Sequence, residues 1–232
     1  MKKILLIALI AAFTFSACDD ESSRDISYVT TYAVLTPNGD ADLFWQKNTP
    51  FVDPGCVAFE GETDITDQIT VKSNVDVTKY GKYAVTYSAV NSDGFAASFT
   101  RNVYVCDKTA SLNGVYTSNI VRDNDGTVGK RGPYPVIIYG VDGGEYWISD
   151  LIGGWYDFGS AYGSTYAGSA IIKINPDNTV SIVSADPMAW GYPCELTSGT
   201  TSKYDPSTKT FVLNTNMEDA PTMKFTVTLT KN

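Results

Sequence analysis

Six large aromatic residues, Trp147, Trp155, Tyr156, Tyr162, Trp190 and Tyr192, carry the most specific chemistry in this chain of 232 residues. The first four fall in 146–166, where rings are interleaved with glycines and small hydroxyl residues. After Leu151 this stretch has too little apolar periodicity for a plain strand and too much ring area for an idle loop. Rings left outside would offer flat apolar faces to the CH groups of sugars, while Glu145, Asp150, Asp157 and nearby backbone groups accept hydrogen bonds from sugar hydroxyls. Trp190, Gly191 and Tyr192 form a second aromatic turn that is able to join the first. Against this stands a plainer reading, in which Trp and Tyr bury their large area and fill the core of a small domain. The residues alone leave both readings open.

Catalytic options are narrow, because the chain contains no histidine. Ser-His-Asp and Cys-His nucleophiles, His general bases and His-containing zinc sites all lose a required member. A glycoside hydrolase needs only two carboxylates, about 5 to 10 Å apart. Glu145, Asp150, Asp157, Asp186 and Glu195 are available, but no spacing selects a pair, so no catalytic residue is assigned and the protein is expected not to be an enzyme. Asp123-Asn124-Asp125-Gly126 resembles the start of a calcium loop, yet no Glu follows at the required place, and it reads as a turn. No metal or other cofactor is expected. Seventeen basic residues face 26 acidic ones, a net charge of −9, which repels phosphate backbones and excludes nucleic acid as a partner.

The N-terminus has a separate chemistry. Lys2 and Lys3, an apolar stretch over 4–15 and the small pair Ser16-Ala17 read as a signal peptide covering 1–17. The apolar stretch is shorter than the roughly 20 residues a spanning helix requires. Phe15-Ser16-Ala17-Cys18 resembles the bacterial lipobox, with Phe15 in place of the usual Leu. The resemblance implies cleavage before Cys18 and a lipid on that cysteine, so that the membrane is met through the lipid only. Residues 18–27 then form the anchor and a flexible leash, since Asp19-Asp20-Glu21-Ser22-Ser23 has nothing to bury. This acidic run resembles the signal that sends Bacteroidetes lipoproteins to the outer face of the outer membrane.

The elements that must position these residues read as all-β. From 28 to 106, short alternating segments separated by turn residues every ten or so positions favour a sandwich, with strands expected at 28–35, 41–46, 56–59, 69–72, 83–90 and 97–105. In the strand at 83–90, Tyr83, Val85, Tyr87 and Ala89 share one face, and which face turns inward is undecided. Phe51-Val52-Asp53-Pro54-Gly55, Asp64-Ile65-Thr66, the run 81–89, Asp93-Gly94-Phe95-Ala96 and Arg101-Asn102-Val103-Tyr104-Val105 together resemble the immunoglobulin-like modules of Bacteroidetes surface lipoproteins, which are related to hyalin repeats. Phe95 departs from the usual Asn, and Cys56 and Cys106 are further departures. Such a sandwich would bring the start of its second strand near the end of its last, so the resemblance implies that Cys56 and Cys106 can meet as a disulfide; two buried free thiols are the alternative.

After a polar linker at 107–111, residues 112–232 read as a second β domain, with strands expected at 115–118, 135–139, 145–150, 170–174, 179–184, 210–213 and 222–230. The last is the clearest: Met223, Phe225, Val227 and Leu229 alternate with Lys224, Thr226, Thr228 and Thr230. An antiparallel meander follows, closed into a barrel or folded as a second sandwich, the barrel being preferred because closure removes exposed edges. Tyr146-Trp147-Ile148-Ser149-Asp150 and Gly153-Gly154-Trp155-Tyr156 resemble the C-terminal domain that follows this kind of Ig-like module in Bacteroidetes lipoproteins. That resemblance implies the polysaccharide-utilisation machinery of the outer membrane as context. The expected function is a non-catalytic glycan-binding surface lipoprotein, with an oligosaccharide or polysaccharide as ligand and an outer-membrane transporter or other surface lipoproteins as partners. A structural or protein-binding surface module is the alternative, and a carboxylate-based hydrolase the third reading.

Overall fold

The computed structural model describes residues 29–232. The signal peptide, Cys18 and the leash lie outside the described residues. Seven strands build the first domain: β1 (Ala33–Pro37), β2 (Asp42–Gln46), β3 (Cys56–Glu60), β4 (Thr63–Asp64), β5 (Thr70–Ser73), β6 (Gly81–Val90) and β7 (Ala96–Cys106). They form two sheets, ordered β1-β3-β4 and β2-β7-β6-β5. Every pairing is antiparallel except β2 with β7, which runs parallel from Asp42 opposite Asn102 to Gln46 opposite Cys106. The inward face of β6 is the one carrying Val85, Tyr87 and Ala89, all buried. Val85 and Tyr87 pack with Cys56, Val103 and Val105 between the sheets.

One charge sits inside this sandwich. Arg101 is fully buried and fully employed: it donates to the carbonyls of Asp40, Gly55 and Asn38, to the Tyr87 hydroxyl at 2.7 Å and to the Asp53 carboxylate at 3.0 Å. A guanidinium is tolerated at such depth because its donors meet acceptors and a countercharge.

The implied Cys56–Cys106 disulfide is absent, and the reason is strand parity. All three cysteines among the described residues are buried free thiols. Cys56 packs inward with Val103 and Val105, whereas Cys106, one residue past Val105, turns to the other face of β7 with Tyr104 and Tyr139. Burial pushes the Cys106 thiol up to about 11, which keeps it protonated at neutral pH.

The second domain contains β8 (Gly114–Asn124), β9 (Thr127–Gly140), β10 (Tyr146–Ile148), β11 (Ala170–Ile174), β12 (Val180–Ala185), β13 (Cys194–Leu196), β14 (Lys203–Asp205), β15 (Thr210–Met217) and β16 (Ala220–Lys231). Their order is β12-β11-β10-β9-β8-β16-β15-β13, with β14 also on β15. The first and last strands of the domain, β8 and β16, therefore pair. The two free ends of the sheet meet as well, through the bridge of Thr179 to Lys203 and the 2.9 Å bonds Val180 N–H to Ser202 O and Tyr204 N–H to Asn178 O. The sheet is thus a nearly closed antiparallel barrel. Along β16, Phe225, Val227 and Leu229 fill its interior, as their alternation predicts.

The junction between the domains is packed. Asp107 N–H bonds to Gly140 O at 2.9 Å, and Ala110 lies so close to Gly140 that any side chain there would collide at 2.3 Å. Residues 107–111 therefore belong to an interface and do not act as a loose spacer. Asp142 of the barrel accepts from Lys47 at 3.2 Å and from the Tyr80 hydroxyl at 2.6 Å on the sandwich. Beside them four rings form a ladder across the boundary: Phe44 on Tyr104 at 5.2 Å, Tyr104 on Tyr139 at 6.1 Å and Tyr139 on Trp147 at 4.8 Å.

Candidate aromatic site

The segment between β10 and β11 divides the six aromatic candidates among three environments. Its first half enters the barrel: Leu151, Ile152, Gly153, Gly154, Trp155 and Tyr156 are all buried. At Gly153, with φ of 71°, a side chain would meet Ser118, Val227 and Ile120 of the barrel wall within 3 Å, so only glycine fits. Asp150 staples the entry. Both its oxygens are taken by backbone amides, Oδ1 by Ile152 at 3.0 Å and Gly168 at 2.9 Å, and Oδ2 by Gly154 at 2.7 Å. Burial pushes its carboxyl up to about 6 against the downward pull of these bonds. Thr215 on β15 adds a 3.0 Å bond to Leu151 O.

Two expected sugar contacts are corrected by this geometry. Trp155 is 3 % and Tyr156 9 % exposed, so neither presents an open face. Trp155 closes the barrel against Phe225, with the guanidinium groups of Arg122 and Arg131 over its ring at 4.6 and 4.3 Å. Asp150 is likewise no ligand acceptor, since it is spent on the staple. Trp147 belongs to the interdomain ladder, where it is half-buried and lines a cleft of about 370 Å³. Tyr104, Asp42 and Lys82 come to this cleft from the sandwich, and Asp157 from the barrel. Burial raises the Asp157 carboxyl, an effect opposed by the charge of Lys82.

The remaining three candidates meet at the surface. Trp190, 38 % exposed, and Tyr162, 55 % exposed, flank Tyr166 at ring distances of 4.8 and 5.3 Å. Tyr192 stacks on Trp190 at 6.3 Å, and the buried Tyr156 supports Trp190 edge-on from 4.7 Å and Tyr162 from 6.0 Å. The two aromatic segments are joined by a 2.8 Å bond from Ala189 N–H to Thr165 O. A tight turn, Gly191 N–H to Met188 O at 2.8 Å, presents Trp190 above the buried Met188, whose sulfur lies 3.8 Å from that of Cys194. Ring-to-ring contacts of this kind each contribute about 0.5–1.5 kcal/mol beyond burial, which fixes the platform before any ligand arrives. Tyr166 is a member that sequence patterning did not single out, although it ends the same ring-rich stretch.

None of the carboxylates raised as hydrolase candidates forms a facing pair with another of them in a described cleft. Asp186 accepts from Ser169 at 2.7 Å and Glu195 from Asn216 at 2.6 Å. Asp123 accepts the Gly126 N–H at 2.7 Å in the turn joining β8 to β9. Among the described residues no group of three or more metal-ligating side chains is present.

Comparison with known proteins agrees with this two-part architecture. A family model for a bacterial surface protein Ig-like domain matches residues 35–105. A second model, for a C-terminal domain, matches residues 106–231, more than half of the chain. The crystal structure of the lipoprotein BT2262 from Bacteroides thetaiotaomicron aligns at a TM-score of 0.67 and 32% identity, over 86% of this chain and 100% of that one. The chain belongs to the BT2262-like family. In this BT2262-like chain the two matched regions abut at the end of β7, where Tyr104 and Cys106 contact Tyr139 of the second domain. The CBM51-2 and INT domains of Clostridium perfringens ZmpB, a structure in complex with GlcNAc, align at a TM-score of 0.29 and 16% identity over 85% of this chain and 43% of that one, too weak to inform fold or ligand. No curated protein sequence matches the chain.

Proposed function

We propose that this protein is a cell-surface lipoprotein, anchored in the outer membrane through Cys18, that captures oligosaccharide without catalysis. The observation that carries the reading is the surface platform of Tyr162, Tyr166, Trp190 and Tyr192, held by a second layer of buried rings. Flat apolar faces set among polar backbone suit the alternating CH and OH faces of a sugar ring. Membership of a family that includes a lipoprotein, and the surface Ig-like match, support the surface location. An outer-membrane transporter or a neighbouring surface lipoprotein is the proposed recipient of the glycan, with the sandwich lifting the barrel towards it.

A glycan array probed with soluble residues 24–232 tests this. Saturable binding that falls at least tenfold in Trp190→Ala, where one stacking contact is lost, supports it. Silence across plant, host and microbial glycans replaces it with a structural or protein-binding role. A second reading has its own observation: Asp42 and Asp157 both line the interdomain cleft. Release of reducing ends from a bound glycan, abolished in Asp157→Asn, would make the protein a hydrolase; the proposal expects none.

A further inference from the structure

The described residues include two arginines, both against the buried Trp155 ring, that have no acidic partner. The three ion pairs present join Lys47 to Asp142, Lys79 to Asp76 and Arg101 to Asp53. Arg131 donates at 2.7 Å to Trp155 O and to the Ser160 hydroxyl, so it is employed as a structural clamp. Arg122 is different. Its guanidinium lies 4.6 Å over the Trp155 ring, yet its buried Nε, like the indole N–H of Trp155, has no hydrogen-bond partner. The contrast with Arg101, whose donors meet five different residues, is sharp. A protein with 26 acidic side chains has no shortage of carboxylates to place there. A buried donor left without an acceptor is costly, and a ligand oxygen that reached it would remove that cost.

Arg122 is also next to the platform. Burial raises the Tyr156 hydroxyl; a hydrogen bond from the Arg122 guanidinium, and then its charge, oppose the rise, so one edge of the fork rests on Tyr156 while Nε stays without an acceptor and the charge without a counterion. The Tyr156 ring in turn meets Trp190 edge-on at 4.7 Å. The neighbouring Asp123 projects from the other face of β8 and is engaged by the Gly126 amide. Sugar-stacking rings and an uncompensated, forked cation therefore lie within one side chain of each other.

We infer that the glycan captured on this platform carries an anionic substituent, a carboxylate or a sulfate, which Arg122 receives. The inference rests on the glycan-binding reading and narrows it to a ligand class. The net charge of −9 repels polyanions at long range, which selects a mainly neutral oligosaccharide bearing a single charge over a polyuronate or a nucleic acid.

Lactose, 3′-sialyllactose and 3′-sulfolactose, titrated calorimetrically into residues 24–232, share one core and differ in charge and in its chemical source. The expected result is that one or both charged sugars bind at least about tenfold more tightly than lactose, the better of the two identifying carboxylate or sulfate. Arg122→Gln should reduce the charged sugar to the affinity of lactose, and Arg122→Lys, which keeps the charge and loses the fork, should retain part of the preference. Equal binding of lactose and both charged sugars overturns the inference while leaving glycan capture intact. No binding of any of the three by a protein that binds neutral glycans on the array overturns it too, and silence on both removes the parent reading with it. The wild-type comparison needs no variant, so a poorly folding Arg122→Gln leaves the test decisive.

Discussion

Asp150 shows how one residue can look like a ligand group and act as a fastener. In sequence it stands beside Trp147 among candidate sugar acceptors, whereas in the fold it gathers the amides of Ile152, Gly154 and Gly168 and holds the ring-rich segment in the barrel mouth. Asp150→Ala strands three buried donors, and chemical denaturation should show a loss of about 3–5 kcal/mol. Its raised carboxyl has a pH consequence whose sign is fixed. Between the ordinary 3.8 and about 6 the folded protein keeps a proton that the unfolded chain has released. This contribution is fully present below pH 3.8 and is lost as pH rises through 6, so melting temperature should fall across that window, and Asp150→Asn should flatten the slope. The aromatic candidates were legible as a set and illegible as individuals: Trp155 and Trp190 have the same neighbours in composition, and only the insertion of 151–156 into the barrel sends one inward and leaves the other out. Arg122 gave no sign at all, because the absence of a countercharge is a property of three-dimensional neighbours.

At the scale of elements, a repeated turn punctuates the chain. Asp64, Asp76, Asp107, Asp177 and Asp205 each accept the backbone N–H of the Thr or Ser two residues on. Such Asx-type turns are favoured by short carboxylates that mimic a backbone carbonyl. Hydrogen bonds from these hydroxyls and amides lower the carboxyls of Asp64, Asp76, Asp177 and Asp205 below the usual range. Their stabilisation is present above pH 3.8 and is lost as pH falls through their depressed values, so a melting-temperature scan should drop on the acid side below about pH 4. The acid-side slope and the Asp150 slope are opposite in sign and have separate residues behind them. Strands with clean alternation were readable: the expected 170–174 coincides with β11, and β16 shows the predicted inward face. The distal arms of β8 and β9 were not, since 122–133 carries several charged residues and glycines where a strand would show apolar alternation. The three-residue strands β13 and β14 are too short for any period to show.

For the whole molecule, the ring ladder and the Asp142 contacts make the sandwich and the barrel one cooperative body. Calorimetry of residues 24–232 should give a single transition. Trp147→Ala, which removes the half-buried end of the ladder, should cost about 2–3 kcal/mol and separate the melting of the two domains. The two-domain all-β plan was readable from turn spacing and alternation, and so was the preference for a barrel. The intimacy of the junction was not, because Asp107 to Ser111 is polar in composition and only the missing side chain of Gly140 admits it to the interface.

The parallel pairing of β2 with β7 sets how this body carries tension. A pull between residue 29 and the barrel first meets the antiparallel β1–β3 pair; once β1 is released it draws β2 from its leading end and β7 from its trailing end, so their hydrogen bonds, which span the register from Asp42–Asn102 to Gln46–Cys106, are strained together along their length. Bonds loaded in shear must fail as a group, whereas an antiparallel pair pulled at one end unzips bond by bond. The sandwich is therefore built to resist extension between its two ends.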